Sequence, residues 1–272
     1  GTTTTTSNGA TTSATITESG SIRLTITTTG GCTYTIQEMI TVSSAPTIIV
    51  STTSGSNVAC EGDSITLSAQ SGLSTYTFMV GSVIKYSGPS NTFTTAGLTT
   101  TTIYTVEASN GVGCVGTSTI TIYVPKLESG GLISIEDVDR VLCSGESLST
   151  SLFGDGTSGS SSATLEVGSE GTIVYQWQIS YDSGLTYEDL AATTENLTPA
   201  ALGTISQTVK VRRLASVDYL GDICETASSN ILDIELDQVR TPEITSSTGS
   251  FTICSDSNVT FTASGGGAGD TY

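Results

Sequence analysis

The chain has 272 residues, 36% of them hydrophobic and 12% charged, with 26 acidic against 8 basic side chains and a formal net charge of −18. That balance argues against nucleic-acid binding, which needs clustered Lys and Arg against phosphate, and against anionic lipid. The sequence holds no histidine, which removes Ser–His–Asp and Cys–His catalysis and His-ligated metals.

Thr, Ser and Gly make up much of the rest, and branched Cβ atoms as in Thr2–Thr6 and Thr99–Thr102 suit a pleated strand better than a helix. No window sustains a 3.6-residue apolar period, and no stretch approaches the roughly 18 apolar residues of a membrane helix. The expected class is all-β, and the length calls for more than one sandwich of about 100 residues. Gly1 opens the sequence without a signal peptide, so a processed chain or a piece of a longer one is expected.

The first segment, 1–45, reads as the C-terminal part of an immunoglobulin-like repeat: a strand in LTITTTGGC, then Cys32, then a second strand. Pro46 marks a joint, where a missing N–H does no harm. A complete repeat follows over 46–125. Cys60 in CEGDSITL opens a strand whose Ile65, Leu67 and Ala69 share a face. Tyr76, Phe78 and Val80 line the next, Tyr104, Val106 and Ala108 a third that leads to Cys114, and Ile120, Ile122 and Val124 the last. A period of two means sheets buried on one face.

After Pro125 a longer repeat runs over 126–241 with acidic and Gly/Ser-rich insertions, notably 154–172. It holds 18 of the 26 acidic residues, so a special surface is expected there. Cys143 in CSGESLST opens it, Ile173, Tyr175, Trp177 and Ile179 form an inward face, and Cys224 follows a long strand. Trp177 is read as core. Pro242 begins the N-terminal part of a further repeat, 242–272, with Cys254 in CSDSNVTF.

Cysteines thus alternate between opening positions (Cys60, Cys143, Cys254) and closing positions (Cys32, Cys114, Cys224). None form a C-x₂-C metal pair. The expectation is disulfides Cys60–Cys114 and Cys143–Cys224, each closing a whole repeat at one pole, with Cys32 and Cys254 paired outside their own partial repeats. Disulfides imply an oxidising compartment.

CEGDSITLSAQ, TYTF and TIYTVEASNGVGC resemble the Ig-like and PKD-like repeats of very large Bacteroidota surface proteins, and YQWQISYDSGLTYEDL with VRRLASVDYLGDICETASSN resembles them more closely. Tyr175, Gln176, Trp177, Gln178, Asp182 and Gly184 match one stretch of that pattern; Arg212, Arg213, Cys224, Ser229 and Asn230 match its ending. Tyr187 stands where an aromatic, often Trp, is usual, and Val211 replaces the usual Tyr. The resemblance covers most of 46–241. It implies type IX secretion and display as an adhesin, a gliding-motility filament or a stalk, and O-glycosylation of Ser64 within Asp63-Ser64-Ile65.

No P-loop or dinucleotide fingerprint is present, and the acidic residues fall in loops and on outer faces, so enzymatic activity is not expected. No cofactor is expected apart from calcium. Its candidate oxygen ligands are Glu136, Asp137 and Asp139 near a joint and Asp182, Glu188 and Asp189 around a turn; a solvated acidic surface is the simpler reading. The functional expectation is an extracellular structural or adhesive array on a bacterial cell surface. Its expected partners are surface or environmental glycans or proteins, or neighbouring copies in a filament, without nucleic acid and without direct membrane insertion. The alternatives are a fibre subunit completed by strand exchange between copies and a carbohydrate-binding module of a secreted enzyme.

Overall fold

A computed structural model of the chain describes residues 15–136, 140–237 and 242–265. Two compact units are present. The first holds the described residues up to Asn57 with Ser64–Ala96 and Thr102–Ile122. The second holds Val58–Asp63, Gly97–Thr101 and the described residues from Tyr123 onward.

The first unit begins with a hairpin, β1 (Gly20–Thr27) and β2 (Thr33–Ile40), registered from Gly20↔Ile40 to Thr27↔Thr33. Ile22, Leu24 and Ile26 share a face with Tyr34 and Ile36, and all five are exposed. Next come β3 (Val50–Thr52), β4 (Thr66–Ala69), β5 (Thr75–Val80), β6 (Val83–Gly88), β7 (Thr92–Thr94), β8 (Thr102–Ser109) and β9 (Val115–Ile122). They form antiparallel sheets β3–β4–β7 and β6–β5–β8–β9. The three-on-four arrangement is an immunoglobulin-like sandwich. The expected alternation fills its core: Leu67, Phe78, Val106 and Ile122 are fully buried, and Ile65, Ala69, Tyr76, Tyr104, Ala108 and Ile120 nearly so; Val80 is half-buried. Phe93 bridges the layers, its ring 5.5 Å from Phe78 and 6.2 Å from Tyr104. Gly116 permits the chain before β3 to cross β9, because a Cβ there would lie 1.9 Å from the Pro46 carbonyl oxygen.

The second unit contains β10 (Leu127–Ser129), β11 (Val141–Cys143), β12 (Thr164–Leu165), β13 (Thr172–Ser180), β14 (Glu188–Asp189), one-turn helix α1 (Pro199–Leu202), β15 (Val209–Tyr219), β16 (Asp222–Ser228), β17 (Leu232–Asp237), β18 (Glu243–Ser246) and β19 (Phe261–Ser264). The main sheet runs β11–β17–β15–β13–β14, with β16 also on β15. Trp177, Ile179, Val209, Val211 and Ile234 project from it onto Ile133, Ile135, Leu148, Leu152, Leu197 and Ile205. Much of that opposing layer is loop tied by isolated bridges, such as Ser134↔Phe153 and Leu152↔Leu197. A smaller core of Leu127, Ala163, Ala215 and Val217 takes in the half-buried Ile173 and Tyr175. α1 interrupts the all-β pattern for one turn, capped by Thr198, whose Oγ1 accepts from Ala201 N, with Pro199 at the first helical position. β18 and β19 form an exposed hairpin with Ile244, Phe251, Ile253 and Phe261 on the surface.

The fold is therefore all-β and immunoglobulin-like, with a correction to how it is closed. Among the described residues one disulfide is present, Cys60–Cys224, with a sequence separation of 164.

Candidate functional site

Several kinds of fastening in the second unit gather around that disulfide. Val58 makes a parallel bridge with Tyr123, and Ala59 N donates to Tyr123 O at 2.9 Å. Cys60 is bonded to Cys224 in β16. Glu61 then accepts from Lys126 Nζ at 2.6 Å, and Glu166 lies 3.9 Å from the same ammonium. The hydrogen bond to Glu61 raises the Lys126 pKa above the usual lysine range. Leu127 N donates to Glu225 Oε2 at 2.6 Å. Glu225 has a left-handed φ of 47°, at a bulge where the β15–β16 register shifts. The rings of Tyr123 and Tyr219 close the cluster with centroids 4.9 Å apart. A covalent bond, an ion pair, one backbone–backbone hydrogen bond, one hydrogen bond from a backbone N–H to a carboxylate and a ring contact thus hold 58–63, 123–127 and the β15–β16 hairpin together.

A depression beside this clasp, lined by Thr99, Thr101, Val124, Lys126, Glu166 and Ser169, encloses about 220 Å³. That is below the roughly 300–1,000 Å³ of small-molecule pockets, and Glu166 is its single carboxylate.

The expected pairings Cys60–Cys114 and Cys143–Cys224 are both replaced, and the geometry gives the reason. Cys114 directly precedes β9, whereas Cys60 adjoins Ala59, which is bonded to the residue directly after β9. Eight residues of strand separate the two places, about 26 Å at 3.3 Å per residue. In the later repeat Cys224 pairs with Val217 on β15, while β17 leaves β15 at Val209 and runs on to Asp237, the partner of Cys143. That too is at least eight residues, or about 26 Å. Cysteines bridge only when their Cα atoms come within about 7 Å, and Cys60 and Cys224 stand at 5.1 Å. Cys32, Cys143 and Cys254 are free and exposed, and Cys114, also free, has its Sγ 3.2 Å from Ser43 O.

The acidic candidates are dispersed. Glu136 Oε1 accepts from Ser158 Oγ at 2.5 Å, and Asp137 and Asp139 lie outside the described residues. Asp182 accepts from Ser180 Oγ, Thr186 N and Thr186 Oγ1, which bring its pKa down to about 2. Glu188 and Asp189 are exposed on β14, and Asp189 Oδ1 accepts from Gln178 Nε2. Among the described residues no three His, Cys, Asp or Glu side chains converge as a metal would require. Ser64 is exposed.

The motif residues turn out to stitch the later sandwich together. Trp177 is fully buried and donates from Nε1 to Thr194 O. Arg212 lies over the Tyr187 ring, 3.8 Å from its centroid. Asn230 exchanges two hydrogen bonds with the Ile133 backbone, and Ser229 exchanges two with Arg213. Arg213 has the role that spacing alone did not reveal. It is fully buried; Nη1 donates to Gly154 O and Glu195 O, and Nη2 to Gly130 O and Ser161 O. Its guanidinium stacks on Tyr175 at 4.5 Å. Gly154 is required there, since a Cβ would fall 1.8 Å from Nη1.

A family model described as "Domain of unknown function (DUF8696)" matches residues 143–238, less than half of the chain. No curated protein sequence matches. Among solved structures, fibronectin(III)-like modules of Clostridium thermocellum CbhA are 14% identical with a TM-score of 0.34, covering 70% of this chain and 95% of that one. Titin domains A168–A170 are 14% identical with a TM-score of 0.44, covering 80% and 75%. A Ca²⁺-stabilized ice-binding adhesin of an Antarctic bacterium is 12% identical with a TM-score of 0.38, covering 84% of this chain and 59% of that one.

Proposed function

We propose that the chain is a non-enzymatic, extracellular, load-bearing segment of a surface array, one that spaces and presents rather than transforms a substrate. The observation that carries this reading is the Cys60–Cys224 clasp. A bond with a sequence separation of 164 gives tension entering before Cys60 a covalent route to Cys224, past every strand from β4 to β15. Lys126, Glu61, Glu225 and the paired tyrosines reinforce the same place. A stable disulfide belongs to an oxidising compartment, which supports an extracellular location. The resemblance of the YQWQ and VRR stretches to bacterial surface repeats supports display on a cell surface.

Sugar binding through Trp177 is not favoured, because the ring is sealed in the core, and one face of Tyr187 is occupied by Arg212. Assembly between copies has one specific observation in its favour: the exposed Ile22, Leu24, Ile26, Tyr34 and Ile36 face of the β1–β2 hairpin.

The test uses cells carrying the intact surface protein with Cys60→Ser. Attachment in still fluid should match wild type, and retention should fall as shear rises. Equal retention at every shear would contradict a load-bearing role.

A further inference from the structure

The observed bond joins an opening cysteine, Cys60, to the closing cysteine of the following repeat, Cys224. Each type of cysteine has a fixed place. Cys60, Cys143 and Cys254 all start the same turn: their carbonyls accept from Asp63 N, Glu146 N and Ser257 N. The third turn residue has φ of 88° at Gly62, 85° at Gly145 and 62° at Asp256, the left-handed value that a type II turn needs. In both whole repeats this turn sits beside the end of the last strand, through parallel pairs, Val58↔Tyr123 in one and Cys143↔Asp237 in the other. The opening cysteine therefore marks a repeat's trailing end.

The closing cysteine marks the leading end. Asn110 Nδ2 donates to Ser43 Oγ and Ser44 O, and Cys114 lies against Ser43 O, all just before the Pro46 joint. The neighbour of Cys224, Glu225, holds Leu127 N just after the Pro125 joint. Cys32, before β2 in its hairpin, occupies the position that Cys114 occupies before β9.

We propose that the Cys60–Cys224 bond is one rung of a regular ladder, in which the opening cysteine of each repeat is bonded to the closing cysteine of the next. The offset accounts for every free thiol. Cys114 takes the opening cysteine of a sandwich that packs on the leading end of 46–125. Cys143 takes the closing cysteine of a sandwich that packs on the trailing end of 126–241. Cys32 and Cys254 take the corresponding partners one repeat further out in each direction. The partner is thus specified by chemistry: a sandwich of this design, presenting either a Cys-x-Gly/Asp turn or a hairpin cysteine. Each rung forms when two thiols lose two protons and two electrons to a disulfide-bearing oxidant, which is reduced to its dithiol by thiol–disulfide exchange. The ladder concerns connectivity and stands independently of whether the array bears load.

The test is peptide mapping of the native, thiol-blocked protein without reduction. Cys60 should be found with Cys224, Cys114 with an opening-type cysteine and Cys143 with a closing-type cysteine. Non-reducing electrophoresis separates the two sources of partner: rungs within one polypeptide leave the monomer mass unchanged, and rungs between copies give a reductant-sensitive series. Either is a ladder. Recovery of Cys114 and Cys143 as free thiols from the native protein, or of Cys60–Cys114 or Cys143–Cys224 pairs, would overturn it. A second readout uses the 272-residue chain alone, in monomeric form. It should bind four equivalents of maleimide after denaturation without reductant, and zero or two would overturn the assignment.

Discussion

Arg213 shows how a single side chain organises the later sandwich. Its burial lowers its pKa from the usual arginine value, yet arginine remains charged across any accessible pH. The desolvated cation is offset by four backbone carbonyls and the Tyr175 ring. Arg213→Met should leave those carbonyls unsatisfied and cost about 3 kcal/mol, read as a lower urea midpoint. Arg213→Lys should recover little, because an ammonium lacks the planar fork that reaches all four. Asp155 and Asp182 make a different prediction. Hydrogen bonds from Asn196 and Thr157 hold Asp155 at a pKa of about 2, and those from Thr186 and Ser180 do the same for Asp182. Both folded-state values lie below the unfolded carboxyl value of about 3.9. Their stabilisation is therefore present above pH 4 and lost as pH falls toward 2. A thermal melt series should show this decline, and the Asp155→Asn, Asp182→Asn double variant should flatten it.

Strand identity was legible in the sequence because burial on one face writes a period of two into the residues. Leu67, Phe78, Val106 and Trp177 were placed in the core by that pattern and are fully buried. Disulfide pairing was not legible. Alternation of opening and closing cysteines fits bonds within a repeat and bonds between successive repeats equally well. What decides is the end of the last strand at which each cysteine sits, and that depends on the parallel pairs Val58↔Tyr123 and Cys143↔Asp237, which carry no local signature. Arg213 was visible as a motif residue, but its burial depends on four carbonyls contributed by three separate connections, those after β10, between β11 and β12, and between β14 and α1. The Pro46 joint supplies an element-level prediction. Gly116→Ala would push a methyl group into Pro46 O and Ile48 Cγ1, and should destabilise the first unit by about 1–3 kcal/mol, seen as a lower melting temperature.

For the whole molecule, the clasp changes both stability and the path of force. Closing a loop this long removes chain entropy from the unfolded state, so Cys60→Ser with Cys224→Ser should cost about 4–5 kcal/mol, and reductant should cost wild type the same. The mechanical consequence is larger. With a sequence separation of 164 and about 3.4 Å per extended residue, the bond withholds roughly 550 Å of chain from extension. Single-molecule stretching between the two chain ends, with and without reductant, measures that length directly. The proposed load-bearing role of the clasp predicts that the oxidised chain stops extending roughly 550 Å short of the reduced one. Equal final lengths in the two conditions would contradict it.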